Sequence, residues 1–222
     1  MNNLIDQISE CVENGKVNYN SPYPPQMKGQ QGADELTRQA LDEGVSPGDI
    51  LNKALVPAMN RVGQKYTENK IFVPQMLLSA KAMSASMSHL KPFFHSGEVK
   101  RKGVVIMGTV MGDLHDIGKN LCCMMVEGAG WEVIDLGVDV KSEQFLSALD
   151  ANPTAIVGLS ALLTTTMVNM GTIITAIRQK YPDTKVTVGG APVNNDFAQS
   201  IGADGYGKDP QELIVWLNKT VA

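Results

Sequence analysis

The residues best suited to chemistry lie together in one short stretch, GTVMGDLHDIGKN, which spans residues 108–120. It combines three glycines with two aspartates, a lysine and His115, and it directly follows the apolar run GVVIM. Two kinds of chemistry suit these residue types. A glycine-rich loop can cradle phosphate, and a histidine beside carboxylates can bind a metal or transfer a proton.

The known phosphate-binding patterns are not satisfied by this loop. A P-loop needs two glycines separated by four residues and followed by Lys-Ser or Lys-Thr. Here Gly112 and Gly118 are separated by five residues, and Lys119 is followed by Asn120. The dinucleotide fingerprint G-x-G-x-x-G is also unmatched. The stretch therefore indicates no nucleotide site, and Lys119 is expected at the surface.

His115 is the centre of the second interpretation. Asp113 and His115 face the same way if the loop is extended, so the carboxylate could hold one ring nitrogen while the other binds a metal; Asp116 is the competing partner. Zinc is poorly supported, because His115 has no cysteine nearby and forms no ligand spacing with His89 or His95. A metal held here would bring most of its own ligands, as a haem or corrinoid does. A solvated histidine beside a helix-capping Asp113 stays open as the alternative.

A sheet is the element expected to position this loop. From residue 103 onward, apolar runs alternate with amphipathic stretches, one of which, TTMVNMGTIITAIRQKY, predicts a single long helix. The predicted strands are GVVIMGT, WEVIDLG, TAIVGLS, KVTVGG and the short ADGY. Such apolar strands between helices indicate a parallel sheet covered on both faces. We therefore predict that residues 103–222 form a doubly wound, five-stranded α/β domain of the Rossmann or flavodoxin type.

Polar or glycine-rich stretches follow three of these strands. They are GDLHDIG after the first strand, SALLTTT after the third and GGAP after the fourth. Ligands of doubly wound sheets bind outside the carboxyl ends of the strands, near the switch point. The three stretches are therefore expected to converge on one site.

The first half of the chain has a different period. Residues 1–90 carry apolar residues at helical spacing throughout and predict a small helical bundle. One helix start is clearly marked, because Ser46 can cap it and Pro47 suits its first position. A fourth helix is predicted to begin near Pro74. The charged stretch KPFFHSGEVKRK, residues 91–102, breaks the pattern and is interpreted as a linker.

Composition narrows the class of protein. The 222 residues are 43% hydrophobic and 19% charged, as in ordinary globular proteins. A net charge of −4 without a basic cluster argues against a nucleic-acid partner. No apolar run approaches the ~20 residues that span a bilayer, and no secretory signal is visible, so no membrane association is expected. Cys11, Cys122 and Cys123 lack a disulfide framework, which fits a reducing cytoplasm.

Three motifs carry a resemblance to a known family. DLHDIG at 113–118 matches D-x-H-x-x-G, SAL at 160–162 matches S-x-L, and a Gly-Gly pair stands at 189–190. In this order and at these strand ends, they resemble the cobalamin-binding domains of methionine synthase and of corrinoid methyltransferase proteins. The stretch LVPAMNRVGQKYTENKIFVPQMLLSAKAMSASMSHLKP, residues 55–92, looks like the helical cap domain that precedes the corrinoid domain in these proteins. Residues 1–90 are therefore expected to form this cap. The resemblance covers nearly the whole chain and implies cobalamin or a related corrinoid as cofactor.

The resemblance also implies roles for individual residues. His115 would displace the benzimidazole of the cofactor and become the lower ligand of its cobalt, while Asp113 would hydrogen-bond the far nitrogen of His115. The relay of the family often ends in a hydroxyl six residues after the serine of S-x-L, and here Thr166 would supply it. Small residues would line a slot for the displaced nucleotide tail, whose end Tyr206 and Gly207 would close. The further residues implied to bind the cofactor are Asp116, Gly118, Ser160, Leu162, Thr164, Gly189 and Gly190.

An apolar cap is implied over the upper face of the cofactor, where it would exclude water and oxidants. The candidates are Met76, Leu77, Ala80 and Met83. A methionine stripe at helical spacing is also typical of ordinary bundle core, and this alternative stays open. Gln75 departs from the family, which is expected to carry an acidic residue there, and the departure bears on the polar contacts of the cap.

The implied function is that of a methyl carrier, non-catalytic alone. Cobalt(I) would accept a methyl group from a substrate-specific methyltransferase, and methylcobalt(III) would donate it to a second methyltransferase acting on tetrahydrofolate or coenzyme M. A reductive activase is expected as a third partner. The alternatives are a cobalamin-sensing regulator, the cobalamin subunit of an adenosylcobalamin mutase, and a flavodoxin-like domain without a corrin. A regulator would add a basic DNA-binding module, which the sequence lacks, and mutase subunits typically lack the cap.

Overall fold

The computed structural model of the protein describes residues 2–95 and 101–221. The chain divides into two compact units: the first consists of Met1–Arg101 together with Gly128–Gly130, and the second of Lys102–Glu127 and Trp131–Ala222. The helices up to His95 belong to the first unit, and all five strands belong to the second. Residues 96–100, which form much of the predicted linker, lie outside the described residues. None of the described helices is long and apolar enough to cross a lipid bilayer.

The first unit is helical, as the apolar spacing predicts. Ser46 caps a helix start, because its hydroxyl accepts a hydrogen bond from the Asp49 amide over 3.0 Å. The helix widens into a π-helical segment just before Pro57, which has no amide hydrogen to donate. The elements are α1 Asn2–Asn14, a 3₁₀ turn Pro25–Met27, α2 Ala33–Asp42, α3 Pro47–Asp49, the π-helical Ile50–Leu55, α4 Val56–Thr67 and α5 Val73–His95.

Helix α5 corrects the predicted start of the linker. The helix continues through Pro92 to His95, although the sequence pattern ends at residue 90. A proline removes one backbone donor from a helix, and here that loss does not end the helix. Residues 91–95 are therefore helical rather than linker.

The second unit contains the predicted five-stranded parallel sheet, in which the second strand of the chain lies at one edge and is followed by the first, third, fourth and fifth. The strands are β1 Val104–Thr109, β2 Glu132–Asp135, β3 Ile156–Ser160, β4 Val186–Gly189 and β5 Gly205–Gly207. The helices are α6 Ile117–Gly128, α7 Ser142–Ala151, α8 Thr164–Met167, α9 Asn169–Lys180, α10 Asn195–Ser200 and α11 Pro210–Thr220. This is the flavodoxin-type order, whose switch point lies between β1 and β3. The helix predicted across residues 165–181 is divided at Val168 into α8 and α9.

The two faces of the sheet differ in the size of their side chains. On one face, branched residues of the strands pack against α7, α9 and α10 to form a buried core. On the other face, the register aligns Met107, Gly158, Thr187 and Gly205 in one row across four strands. Two of these four positions carry no side chain. The face with small residues therefore leaves space between the sheet and the helices α6 and α11, which contribute to its walls.

Candidate functional site

The loop after β1 is held in place by backbone contacts around Asp113. The Asp113 amide donates to the Val110 carbonyl over 3.1 Å, and the Asp113 carbonyl accepts from the Asp139 amide over 3.0 Å. Gly112 has a φ of +82°, which favours glycine, and its amide donates to Asp139 Oδ1 over 2.7 Å. These contacts place the Asp113 side chain inward, with 0% of the residue exposed.

The buried carboxylate of Asp113 is surrounded by hydrogen-bond donors. Oδ2 accepts from Thr166 Oγ1 over 2.6 Å, from the Leu162 amide over 2.8 Å and, more weakly, from the Leu163 amide over 3.3 Å. Oδ1 accepts from the His115 amide over 3.1 Å and lies 2.8 Å from His115 Nδ1. Burial by itself would raise the pKa of Asp113, but these hydrogen bonds outweigh it and hold that pKa well below its usual value. The carboxylate is therefore ionised at neutral pH.

The ionised carboxylate decides which nitrogen of His115 carries the proton. A carboxylate without a proton can only accept hydrogen bonds, so Nδ1 must be the donor in the contact with Asp113. In the neutral imidazole this leaves Nε2 with a free lone pair. The side chain of His115 is 51% exposed, and Thr109 Oγ1 donates to its backbone carbonyl over 3.0 Å. The relay Thr166–Asp113–His115 thus orients the imidazole and leaves Nε2 as the ring nitrogen that Asp113 does not engage.

A cavity of about 590 Å³ opens beside this histidine, within the second unit. It lies at the carboxyl ends of β1, β3 and β4 and is bounded by α6 and by Pro210 and Leu213 of α11. Glycines make room for it. A Cβ at Gly118 would enter open space, whereas one at Gly190 would lie 1.8 Å from the Ala161 carbonyl oxygen. Gly190 also has a φ of +125°. The cavity therefore depends on positions that have no side chain.

Most of the residues predicted for the site converge here. Asp113 and Thr166 lie behind His115 and are buried. The predicted residues that line the cavity are His115, Asp116, Gly118, Ser160, Leu162, Gly189, Gly190 and Gly207. Leu162 has a second contribution, since its backbone amide orients Asp113.

Two predicted residues are not brought to the cavity. Tyr206 packs against the core on the opposite face of the sheet, because successive residues of a strand face opposite sides and its neighbours Gly205 and Gly207 occupy the cavity side. This corrects the expectation that Tyr206 closes the end of the slot. Thr164 is exposed at the start of α8 and does not line the cavity, since it stands beyond the turn that follows β3.

The residues predicted for the cap lie on α5 in the first unit. Met76, Ala80 and Met83 are buried, and Leu77 is half-buried. Gln75, which stands where an acidic residue was expected, uses its side-chain oxygen to accept from the Phe72 amide over 3.1 Å. Its amide side chain therefore performs a helix-capping contact that a carboxylate could also make.

Sequence reasoning missed four residues of the site. Lys119 was expected at the surface but is buried, and its ammonium donates to Asp135 Oδ2 over 2.5 Å. Thr109, Asp139 and Thr187 were not singled out. Asp139 follows β2, and Thr109 is the last residue of β1, directly before the loop. Their positions at strand ends were the available signal for both.

The described residues fit a corrinoid, and they fit a metal held by protein side chains poorly. In residues 2–95 and 101–221, no group of three or more His, Cys, Asp or Glu side chains could hold a metal ion. Nε2 of His115 is not held by Asp113. A macrocyclic cofactor that brings its own nitrogen ligands needs one such nitrogen from the protein. Leu114 and Ile117, on either side of it in sequence, are each 73% exposed and offer apolar surface. The buried Thr187 hydroxyl, which borders the cavity, has no hydrogen-bond partner.

Comparison with known proteins gives the same assignment. The family model of the B12 binding domain matches residues 103–215, and a second B12 binding domain model matches residues 30–91. A corrinoid protein of Desulfitobacterium hafniense is 37% identical over 83% of this chain and 88% of its own length. Trimethylamine corrinoid protein 1 of Methanosarcina acetivorans is 36% identical over 82% of this chain and 86% of its own length.

Two solved structures share the architecture. A cobalamin-binding protein from Desulfitobacterium hafniense superposes with a TM-score of 0.72 at 27% identity and covers 100% of this chain and 98% of its own. The methanol:cobalamin methyltransferase complex of Methanosarcina barkeri contains a chain that superposes with a TM-score of 0.81 at 28% identity, covering 99% of this chain and 80% of its own. The similarity therefore extends across both units of the chain.

Proposed function

We propose, since this chain belongs to the family of B12-binding corrinoid proteins, that it carries a methyl group between two partner methyltransferases. The observation that carries the proposal is the relay Thr166–Asp113–His115, which leaves Nε2 of His115 free beside the cavity. When bound, the corrinoid supplies a cobalt atom that can be methylated and demethylated in turn. The residues of this chain hold that cofactor and adjust its lower ligand.

His115 would hold the cofactor through one of its two ring nitrogens. Nε2 would bind the cobalt in place of the benzimidazole of the cofactor, and Nδ1 keeps its proton on the side of Asp113. Because Asp113 is ionised and fully buried, its hydrogen bond with Nδ1 would strengthen electron donation from Nε2 to the metal. Thr166 donates to the same carboxylate and limits this effect. The three residues together set how strongly the imidazole donates to the metal.

The cavity would receive the displaced nucleotide tail. Its walls are largely formed by apolar side chains, such as Leu121, Cys122 and Leu213, and by the backbone of glycines. A flat aromatic base buries well between such walls. Gly118 leaves open space at the beginning of α6, where the tail would enter. Met76, Leu77, Ala80 and Met83 are kept as candidates for the apolar cap.

The relatives support the proposal of a methyltransferase as first partner. One solved relative is a methanol:cobalamin methyltransferase complex, and curated relatives are named for trimethylamine and dimethylamine. We assign this chain the same kind of first partner, a methyltransferase that selects a small methylated substrate. A second methyltransferase acting on tetrahydrofolate or coenzyme M and a reductive activase complete the proposed cycle.

Ligation by His115 can be tested without any partner. Protein labelled uniformly with ¹⁵N is loaded with unlabelled cobalamin, reduced to the cobalt(II) form and measured by electron paramagnetic resonance. Coordination by His115 should split each cobalt line into a doublet, because ¹⁵N has spin one-half, whereas the base of the cofactor would give a triplet. His115→Ala should lose the doublet. His89→Ala is the matched control, since His89 contacts Asp34 in the first unit. A triplet in the unsubstituted protein would overturn the assignment.

Methyl transfer itself requires a second experiment. Loaded protein in the cobalt(I) state is incubated with extract of its source cells and candidate methyl donors, and the visible spectrum is followed. Formation of the methylated cofactor with one donor and not with others supports the carrier role and identifies the first partner's substrate. Isolation of the protein with an adenosyl upper ligand would instead support a mutase subunit.

A further inference from the structure

One buried hydroxyl beside the cavity has no hydrogen-bond partner. Within the described part of the chain, three buried side-chain polar atoms lack a partner: Trp131 Nε1, Thr187 Oγ1 and Gln211 Oε1. Of these three residues, only Thr187 lines the cavity, and it is 2% exposed. Buried polar groups in folded proteins are almost always hydrogen-bonded. The unpaired hydroxyl therefore indicates a group that this site is built to receive.

The position of Thr187 on β4 places it deep in the cavity. Thr187 lies two residues before Gly189 on the same face of the strand, about 6.6 Å further from the carboxyl end. Its neighbours in the row across the sheet are Gly158 on β3 and Gly205 on β5. Neither neighbour has a side chain that could pair with the hydroxyl. Thr187 is thus a polar position on the floor of the cavity.

The groups over the two flanking glycines are a thioether and an indole ring. A Cβ at Gly158 would lie 2.3 Å from Met107 Sδ, and one at Gly205 would lie 2.3 Å from an indole carbon of Trp216. No hydrogen bond joins Thr187 Oγ1 to either side chain. The walls nearer the helices, Leu121 and Leu213, are apolar as well. The floor of the cavity therefore combines apolar surroundings with one buried hydroxyl that lacks a hydrogen-bond partner.

A flat aromatic ring with a polar group at its inner end matches this arrangement. We propose that Thr187 selects the lower base of the corrinoid, favouring a base that carries a hydroxyl group over one that carries only methyl groups at its buried end. The Thr187 hydroxyl can donate or accept, so it pairs with a phenolic hydroxyl but finds no partner on a dimethylated ring. This inference rests on the proposed placement of the nucleotide tail in the cavity.

The test compares the affinities of corrinoids that differ only in the lower base. Apo protein is titrated with hydroxybenzimidazolyl cobamide, with dimethylbenzimidazolyl cobamide and with cobinamide, which has no nucleotide tail; bound corrinoid is measured by visible absorption after ultrafiltration. A net hydrogen bond in a buried site corresponds to about tenfold in Kd. The unsubstituted protein should therefore prefer the hydroxylated base by about tenfold. Thr187→Val, which keeps the shape and removes the hydroxyl, should bring the ratio of the two Kd values to about one.

Two controls separate selection from a structural effect. Thr187→Val should leave the Kd for cobinamide unchanged, and it should unfold in urea no more readily than the unsubstituted protein, because the hydroxyl has no partner to lose. Thr184→Val makes the same chemical change at a buried threonine that does not line the cavity, and the Kd ratio should stay at about ten. Equal Kd ratios in Thr187→Val and in the unsubstituted protein would overturn the proposal, as would an equal loss of affinity for all three corrinoids.

The ¹⁵N resonance experiment distinguishes this failure from failure of the proposed function. A ¹⁵N doublet together with an unchanged Kd ratio means that His115 holds the cobalt but Thr187 does not select the base. A ¹⁴N triplet means that the base stays on the cobalt and outside the cavity, and then both proposals fall. A doublet together with a collapsed ratio in Thr187→Val supports both.

Discussion

Replacing Thr166 with valine removes one hydrogen bond from the relay while nearly conserving the volume of the side chain. Thr166 Oγ1 donates to Asp113 Oδ2 over 2.6 Å, and both residues are buried. A hydrogen bond to a charged group contributes about 1.5–3 kcal/mol. The carboxylate oxygen keeps the Leu162 amide at 2.8 Å, so it is not left without a partner. We therefore expect Thr166→Val to lower the free energy of unfolding of the apo protein by about 2 kcal/mol.

The ionisation of Asp113 sets the pH dependence of this loss. Burial would raise the pKa of Asp113, but hydrogen bonds led by that from Thr166 lower it overall. A carboxyl group with a lowered pKa in the folded state stabilises the fold at pH values above its unfolded pKa of about 3.9. That stabilisation is lost as the pH falls through the folded-state pKa. The deficit of Thr166→Val should therefore be constant around neutral pH and shrink in acid, below about pH 4.

The change in the free energy of unfolding of the second unit can be measured by urea titration, with tryptophan fluorescence as the signal. The chain has two tryptophans, Trp131 and Trp216, and both belong to the second unit. Thr166→Ser keeps the hydroxyl and should recover most of the lost stability. Thr165→Val makes the same chemical change at an exposed neighbour and should change the free energy of unfolding by less than about 0.5 kcal/mol.

Two results would refute the reasoning. A loss below about 0.5 kcal/mol in Thr166→Val would mean that the hydroxyl contributes no more than a surface group. A deficit that grows as the pH falls below about 4 would have the wrong sign for a hydrogen bond to ionised Asp113.

Three further outcomes are expected from other parts of the second unit. Gly190→Ala should destabilise the apo protein by at least about 3 kcal/mol, because its Cβ would collide with the carbonyl oxygen of Ala161. Gly202→Ala is the control, since Gly202 also has a positive φ but lies in open space. It should lower the free energy of unfolding by about 1 kcal/mol in the same urea titration. Gly118→Leu should leave apo stability within about 1 kcal/mol yet abolish corrinoid retention after gel filtration, and normal retention would contradict a ligand at this position. Burial raises the pKa of Cys122 and of Cys123 to about 12, so iodoacetamide at pH 8 should modify neither thiol until urea unfolds the protein, as mass spectrometry can determine.

Local spacing was sufficient for much of this protein. The apolar runs identify all five strands, and the helical stripes identify the helices of the first unit, because these periods arise from the geometry of a single element. The contact between Asp113 and His115 is also local, since it joins residues two positions apart in a turn. The end of helix α5 was not predicted correctly. Pro92 removes one backbone donor from the helix, but the helix tolerates this loss and continues to His95.

Burial and facing direction were decided only by the tertiary structure. Lys119 belongs by type at the surface, but Asp135 on β2 gives it an ion-pair partner inside. Tyr206 turns away from the cavity, and Thr187 turns towards it, because the register of β4 and β5 assigns alternate residues to opposite faces. The motif D-x-H-x-x-G is sufficient to identify His115 and its carboxylate partner Asp113. Which other residues surround the cofactor depends on strands that meet only when the sheet forms, and a shift of one residue in their pairing would exchange the two faces.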